Sequence, residues 1–154
     1  LFQVNPSANK KNALLSSGFF ATFDSFSYFF YSDVVTRQTA VNYCMKHHRN
    51  LLQNDASFNR SKVYAQSTSW FMDYSQAWIG VYMTATVRYW VSGGAVTYTN
   101  WSSGEPNGQP DNLYGNEFCA AMVLEDGTWA DEPCDKLYPF ICFDGLYNKH
   151  FSHI

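Results

Sequence analysis

Hard oxygen donors cluster in the last third of this 154-residue chain. Glu105 and Asn107 flank Pro106, Glu117 stands two residues before Cys119, and Asp131 follows Trp129 and Ala130. Carboxylate and carboxamide oxygens spaced among turn residues are the ligands of a hard cation, and calcium takes six to eight of them at about 2.3–2.6 Å. A second proline-centred triplet, Gln109-Pro110-Asp111, follows the first almost at once and leads into Asn112. Cys119, Cys134 and Cys142 lie in the same region. The chemistry indicated is calcium held in cross-linked loops. Paired acids also serve glycoside hydrolysis, but no GxSxG, HExxH or phosphate-loop motif accompanies them. The expectation is a binding protein with calcium as cofactor and no catalytic residues.

Positioning such donors needs a rigid frame, and the composition indicates its kind. Charged residues make up only 15% of the chain and aromatics 19%, so aromatic side chains fill space that helices fill elsewhere. One domain is expected at this length. Residues 1–18 are polar and irregular and are expected to be a tail or connector, with the domain running over 19–154. Aromatic-rich Phe19–Asp33 predicts the first strands. From Thr36 to His48, Ala40, Val41, Cys44 and Met45 recur at helical spacing, with Thr36 or Asp33 as the cap and His47 and His48 as cations at the negative end of the helix dipole. A short strand or turn is expected at Asn50–Gln53. A second helix is expected from Asp55 or Ser57 to about Ser67, burying Phe58, Val63 and Tyr64. Ala77–Met83 reads as a buried strand, Val87–Val91 and Ala95–Tyr98 as a hairpin about Ser92-Gly93-Gly94, and Glu117–Leu124 and Tyr138–Phe143 as later strands. Ser102–Asn116 has no apolar period, and a loop of that length in a compact domain is a functional one. Trp78, Trp90, Trp101 and Trp129 are expected in the core rather than as sugar-stacking platforms.

The net charge of −3 and the lack of a basic run exclude a nucleic-acid partner, and no apolar stretch is long enough for membrane insertion. Four cysteines without CxxC spacing point to disulfides in a secreted or extracellular protein. They allow three pairings, and the sequence alone does not choose among them. Sequons at Asn59 and Asn100 mark candidate glycosylation sites.

Trp78-Ile79-Gly80, Asn100-Trp101, Glu105-Pro106-Asn107, Glu117-x-Cys119, Trp129-x-Asp131, Cys134 and Pro139-Phe140-Ile141-Cys142 together resemble the C-type lectin-like domain, in the right order over about Phe19–Phe143. The resemblance implies an α+β fold, two helices on small antiparallel sheets with a long calcium-binding loop region. It also implies a Cys44–Cys142 pair, a Cys119–Cys134 pair and the short form with two disulfides. Glu105, Asn107, Glu117 and Asp131 then match the metal ligands, which also bind carbohydrate through vicinal sugar hydroxyls. Glu-Pro-Asn resembles the triplet of mannose-type members, and Gln109-Pro110-Asp111 resembles the galactose-type triplet. The spacing from Trp101 favours Glu105 and Asn107, while the spacing to Glu117 suits Gln109; Glu105 and Asn107 are the expected pair, and mannose-type glycans the expected ligand. Where the family has Trp-Asn-Asp, Ala130 replaces the Asn and removes one calcium oxygen. A secondary calcium site is expected to be absent, since Gly108 and Phe118 stand where its acids would be. Glycans are the expected partners, with a homo-oligomer supplying avidity. The alternative is a lectin-like module that binds protein or another non-sugar ligand.

Losing one hydrogen bond costs about 0.5–1.5 kcal/mol, so Ala130→Asn is expected to tighten calcium-dependent sugar binding by up to about tenfold. Calorimetry at millimolar calcium checks this, and unchanged affinity contradicts it.

Overall fold

Aromatic side chains suit the pleated, half-buried surface of a sheet, and the first Phe- and Tyr-rich stretch forms a hairpin. Its strands are β1 (Gly18–Phe23) and β2 (Phe26–Val35), paired antiparallel from Gly18↔Tyr31 to Phe23↔Phe26. The computed structural model describes residues 18–23, 26–53, 60–71, 73–83, 88–96, 98–103, 110 and 112–145. After the hairpin come α1 (Arg37–His47), β3 (Asn50–Leu51), α2 (Arg60–Trp70), β4 (Gln76–Met83) and β5 (Arg88–Trp90). A 3-10 turn (Leu113–Gly115), β6 (Cys119–Val123), β7 (Trp129–Glu132) and β8 (Tyr138–Gly145) complete the order. Of the expected tail over 1–18, Gly18 instead opens β1 and residues 1–17 lie outside the described residues, as does the proposed start of the second helix with Asp55, Ser57 and Phe58.

The strands join in one sheet of order β1-β2-β8-β4-β6-β7, with β3 added to β8 and β5 to β4. Its neighbours are antiparallel except at Trp78↔Phe140, where β4 and β8 run parallel. Alternation along β2 and β4 sends side chains to two opposite cores. One holds Tyr28, Phe30, Ile79, Val81 and Met122 with Val63 of α2. The other holds Tyr31, Trp78, Ala121 and Phe140 with Ala40, Val41 and Cys44 of α1. This is the expected α+β architecture, with a helix on each face.

α1 starts where expected: the Thr36 hydroxyl accepts from the Thr39 amide at 3.3 Å, the N-cap bond. Its inward stripe is Arg37, Ala40, Val41 and Cys44. Met45 is a correction, since it is 59% exposed: at 3.6 residues per turn it falls about 40° beyond Val41, the edge of the buried stripe. His48 also departs from a simple dipole role. Its ring stacks on Phe29 at 3.9 Å between centroids, with Nε2 2.6 Å from the Tyr31 hydroxyl and Nδ1 3.3 Å from Asp144. The helix-end histidine is thereby packed against β2 and β8.

Two disulfides tie helix and loops to the sheet. Cys44–Cys142 anchors α1 to β8 across 98 residues, and Cys119–Cys134 closes 15 residues around β6 and β7. In the chain-entropy model these closures stabilise by roughly 4.7 and 3 kcal/mol. The Trp78 indole donates to the Val35 carbonyl at 2.9 Å, so the core tryptophan carries no lost hydrogen bond. Among the described residues, no helix is long and apolar enough to cross a membrane.

Gly80 sits where β4 passes close to the backbone of Leu51 and Leu52. Its amide donates to the Leu52 carbonyl at 2.7 Å, and a Cβ there would come within 2.8 Å of that oxygen and 2.9 Å of the Leu51 oxygen. Both neighbours are backbone, so Gly80→Ala forces β3 and β4 apart. Overpacking of this kind costs about 1–3 kcal/mol. Chemical denaturation of the oxidised protein is expected to show that loss, and an unchanged midpoint contradicts the packing.

Candidate functional site

The register of β6 and β7 brings the site together. Cys119 pairs with Glu132 and Ala120 with Asp131, so Asp131 lies beside the strand that Glu117 leads into. Both acids are buried, at 2% exposure for Asp131 and 8% for Glu117. β7 shows no strand period in the sequence, because four residues are too few to display one, and only the family resemblance places Trp129 in a strand. It is held on its second side by Asn100–Ser102: the Trp129 amide donates to the Asn100 carbonyl and the Ser102 amide to the Trp129 carbonyl. Trp129 is fully buried and meets Trp90, Tyr98 and Trp101 edge-on at 5.9, 6.0 and 5.6 Å. Edge-to-face pairs of this kind stabilise by about 0.5–1.5 kcal/mol beyond their buried area. The aromatic cluster thus fixes the strand end from which Asp131 projects.

Asn112 fastens the two carboxylates. Its backbone is left-handed (φ 45°, ψ 49°), a conformation that Asn tolerates and most residues resist. This turns successive amides towards the acids. The Asn112 amide donates to Asp131 Oδ2 at 2.7 Å, and the Leu113 amide donates to Glu117 Oε2 at 3.0 Å. The Asn112 side-chain oxygen accepts from the Glu117 amide at 2.9 Å, and its carbonyl accepts from the Gly115 amide at 2.8 Å. The sequence reading missed Asn112 as a site residue. An Asn followed three residues later by a glycine was the available signal for such a turn.

The other candidates are placed unequally. Glu105, Asn107, Gln109, Asp111 and Gly108 lie outside the described residues, as does Asn59. Glu132 is buried too, but Lys136 Nζ donates to its Oε2 at 2.7 Å, and this bond raises the Lys136 ammonium above its usual range. That partnership separates Glu132 from Asp131 as a candidate ligand. Ala130 is 6% exposed and paired with Ala121. Asn100, a candidate glycosylation site, is half-buried and donates from Nδ2 to the Gly127 carbonyl at 2.9 Å, a bond it must leave to carry a glycan. Trp78, Trp90 and Trp129 are core residues, as expected.

Among the described residues no group of three or more His, Cys, Asp and Glu side chains converges on one point. What they supply is two buried carboxylates and an Asn oxygen at one turn, a hard-oxygen set suited to calcium and lacking the soft donors that zinc sites favour.

Residues 34–143 match the family model described as the lectin C-type domain. The chain belongs to the C-type lectin domain family. It is 30% identical over 127 residues to human lithostathine-1-beta, covering 77% of this chain and 71% of that protein. It is 39% identical over 69 residues to the C-type lectin lectoxin-Lio3 of Erythrolamprus poecilogyrus, covering 42% of this chain and 40% of the lectoxin's length. In fold it is similar to the C-type lectin CEL-I of Cucumaria echinata, with a TM-score of 0.72 at 21% identity over 80% of this chain and 93% of the other.

Asn112→Ala removes the acceptor for the Glu117 amide and puts a poor left-handed residue at the turn. The backbone change alone costs about 1–2 kcal/mol. Calcium affinity is expected to fall by about tenfold, and Asn112→Gly to lose less because it keeps the turn. Equal affinities for all three proteins contradict the role given to Asn112.

Proposed function

We propose that this domain binds glycans through a calcium ion held by Glu117, Asp131 and one proline-centred triplet. The observation that supports the reading most directly is the lashing of Glu117 and Asp131 to consecutive amides of the Asn112 turn. Calcium, when bound, would supply a Lewis-acidic centre for two vicinal hydroxyls of a sugar ring. The residues do the orienting: each carboxylate accepts a proton-bearing edge of the ligand, and the aromatic cluster beneath holds their spacing. A site contacting two hydroxyls is weak alone, so useful avidity comes from multivalent presentation by a homo-oligomer. Secretion fits the two disulfides.

The choice of triplet sets the sugar. Asp111 is bonded directly to Asn112, whose amide touches Asp131. Adjacent Cα atoms lie about 3.8 Å apart, whereas Asn107, the nearer member of the first triplet, is five residues from Asn112 and can lie up to roughly 16–18 Å away. Connectivity therefore favours Gln109 and Asp111 as the completing pair, and with them a galactose-type ligand. The second reading, mannose-type binding through Glu105 and Asn107, is favoured by the four-residue spacing from Trp101 to Glu105.

An array of terminal galactose and mannose glycans, probed with and without chelator, is the test. Chelator-sensitive binding to galactose is expected, with Asp111→Asn weakening it more than Asn107→Ala. A reversed order moves the assignment to mannose, and binding that ignores chelator contradicts the calcium reading.

A further inference from the structure

Arg88 opens β5 and is exposed to solvent, yet its head group has a seat on the protein. The guanidinium carbon lies 5.5 Å from the centroid of the half-buried Trp101 ring. This cation–π contact supplies no oxygen to the five N–H donors of the guanidinium. Neither ion pair among the described residues, His48–Asp144 nor Lys136–Glu132, includes Arg88.

Strand register sets Arg88 on the face of the sheet that carries Asp131. Arg88 pairs with Met83 and Trp90 with Val81, and Met83, Val81 and Trp90 share one core with Val63 of α2. Asp131 pairs with Ala120 of that same core, two residues along β7 from Trp129. Trp101 fills the interval, since its backbone bridges to Trp129 and its ring meets the Trp129 ring edge-on at 5.6 Å. Two consecutive ring contacts therefore separate the guanidinium from the strand that bears Asp131. On the side of the second acid, the Met83 amide donates to the carbonyl of Phe118, the neighbour of Glu117, at 2.9 Å. Lys136 is engaged elsewhere: it pairs with Glu132, which lies opposite Cys119 of the other core.

We propose that Arg88 selects acidic glycans, with a carboxylate or sulfate on the sugar next to the calcium-bound one accepting charge-assisted hydrogen bonds from the guanidinium. The arginine fork suits such oxyanions because it offers two parallel N–H bonds to a pair of oxygens. Three strand intervals of about 4.8 Å lie between β5 and β7, by way of β4 and β6. That span suits the second sugar of a chain rather than the one on the ion. The inference rests on the glycan-binding reading above and narrows its ligand from neutral to anionic sugars. An exposed pair of this kind contributes more to specificity than to affinity.

The test compares matched disaccharides by calorimetry at millimolar calcium. The probes are N-acetyllactosamine, the same sugar with sulfate on its N-acetylglucosamine, and galactosyl-glucuronic acid, each with its mannosyl counterpart. The wild type is expected to bind an acidic form about two- to fivefold more tightly than the neutral one, and added salt to shrink that ratio. In Arg88→Gln the ratio is expected to fall to about one, and Arg88→Lys to keep part of it, having charge without the fork. Equal wild-type affinities for the neutral and both acidic forms overturn the proposal, as does an acid preference that Arg88→Gln keeps in full. Calcium-dependent neutral binding without acid preference overturns this inference alone. Binding that ignores chelator, or no binding of any form, overturns the glycan reading and this inference with it.

Discussion

Burying a carboxylate costs its hydration, and this domain buries two of them against one left-handed turn at Asn112. Glu117 and Asp131 are both under 9% exposed. Backbone amides of Asn112 and Leu113 compensate part of the cost, because an amide donating to a carboxylate is a charge-assisted bond of roughly twice the usual strength. On the proposed reading a divalent cation adds to that compensation, and the turn then serves both as a structural cap on two acids and as part of a calcium site.

Everything beneath the turn serves its rigidity. Asp131 inherits its position from Trp129, which is gripped by three aromatic neighbours and by backbone bonds to Asn100 and Ser102. Glu117 inherits its position from Cys119, cross-linked to Cys134 and paired with both Tyr82 and Glu132. The long Cys44–Cys142 link then ties the far helix to β8, so the sheet carrying the site resists shear from either face. A loop-rich site on a covalently closed sheet gains its precision from the closure, since the loops themselves have little apolar surface to bury.

Much of this was legible before any coordinates, for reasons that differ by element. Buried strands such as Ala77–Met83 announce themselves by apolar runs, and α1 by its cap and its spacing of Ala40, Val41 and Cys44. The disulfide partners followed from resemblance alone, since spacing left three pairings open. Met45 misled because helical period defines a stripe only to within one residue, and position 45 falls just past the edge set by Val41. β7 escaped pattern reading because a four-residue strand has no room to show alternation. Asn112 escaped because its importance lies in a left-handed backbone and two amides, neither of which is a side-chain signature. Arg37 was hidden by the rule that arginines face water, and only packing reveals the exception.

Glu117 and Asp131 are proposed to act as one ion site rather than as two separately capped acids. A double-mutant cycle in calcium affinity, measured calorimetrically on wild type, Glu117→Gln, Asp131→Asn and the pair, tests it most directly. Calcium binding by the wild type is expected, with at least about a tenfold loss in each single variant and a coupling free energy in the range of about 0.5–3 kcal/mol seen for residues that share a partner. Absence of calcium binding in the wild type, or affinities that the substitutions leave unchanged, would contradict it.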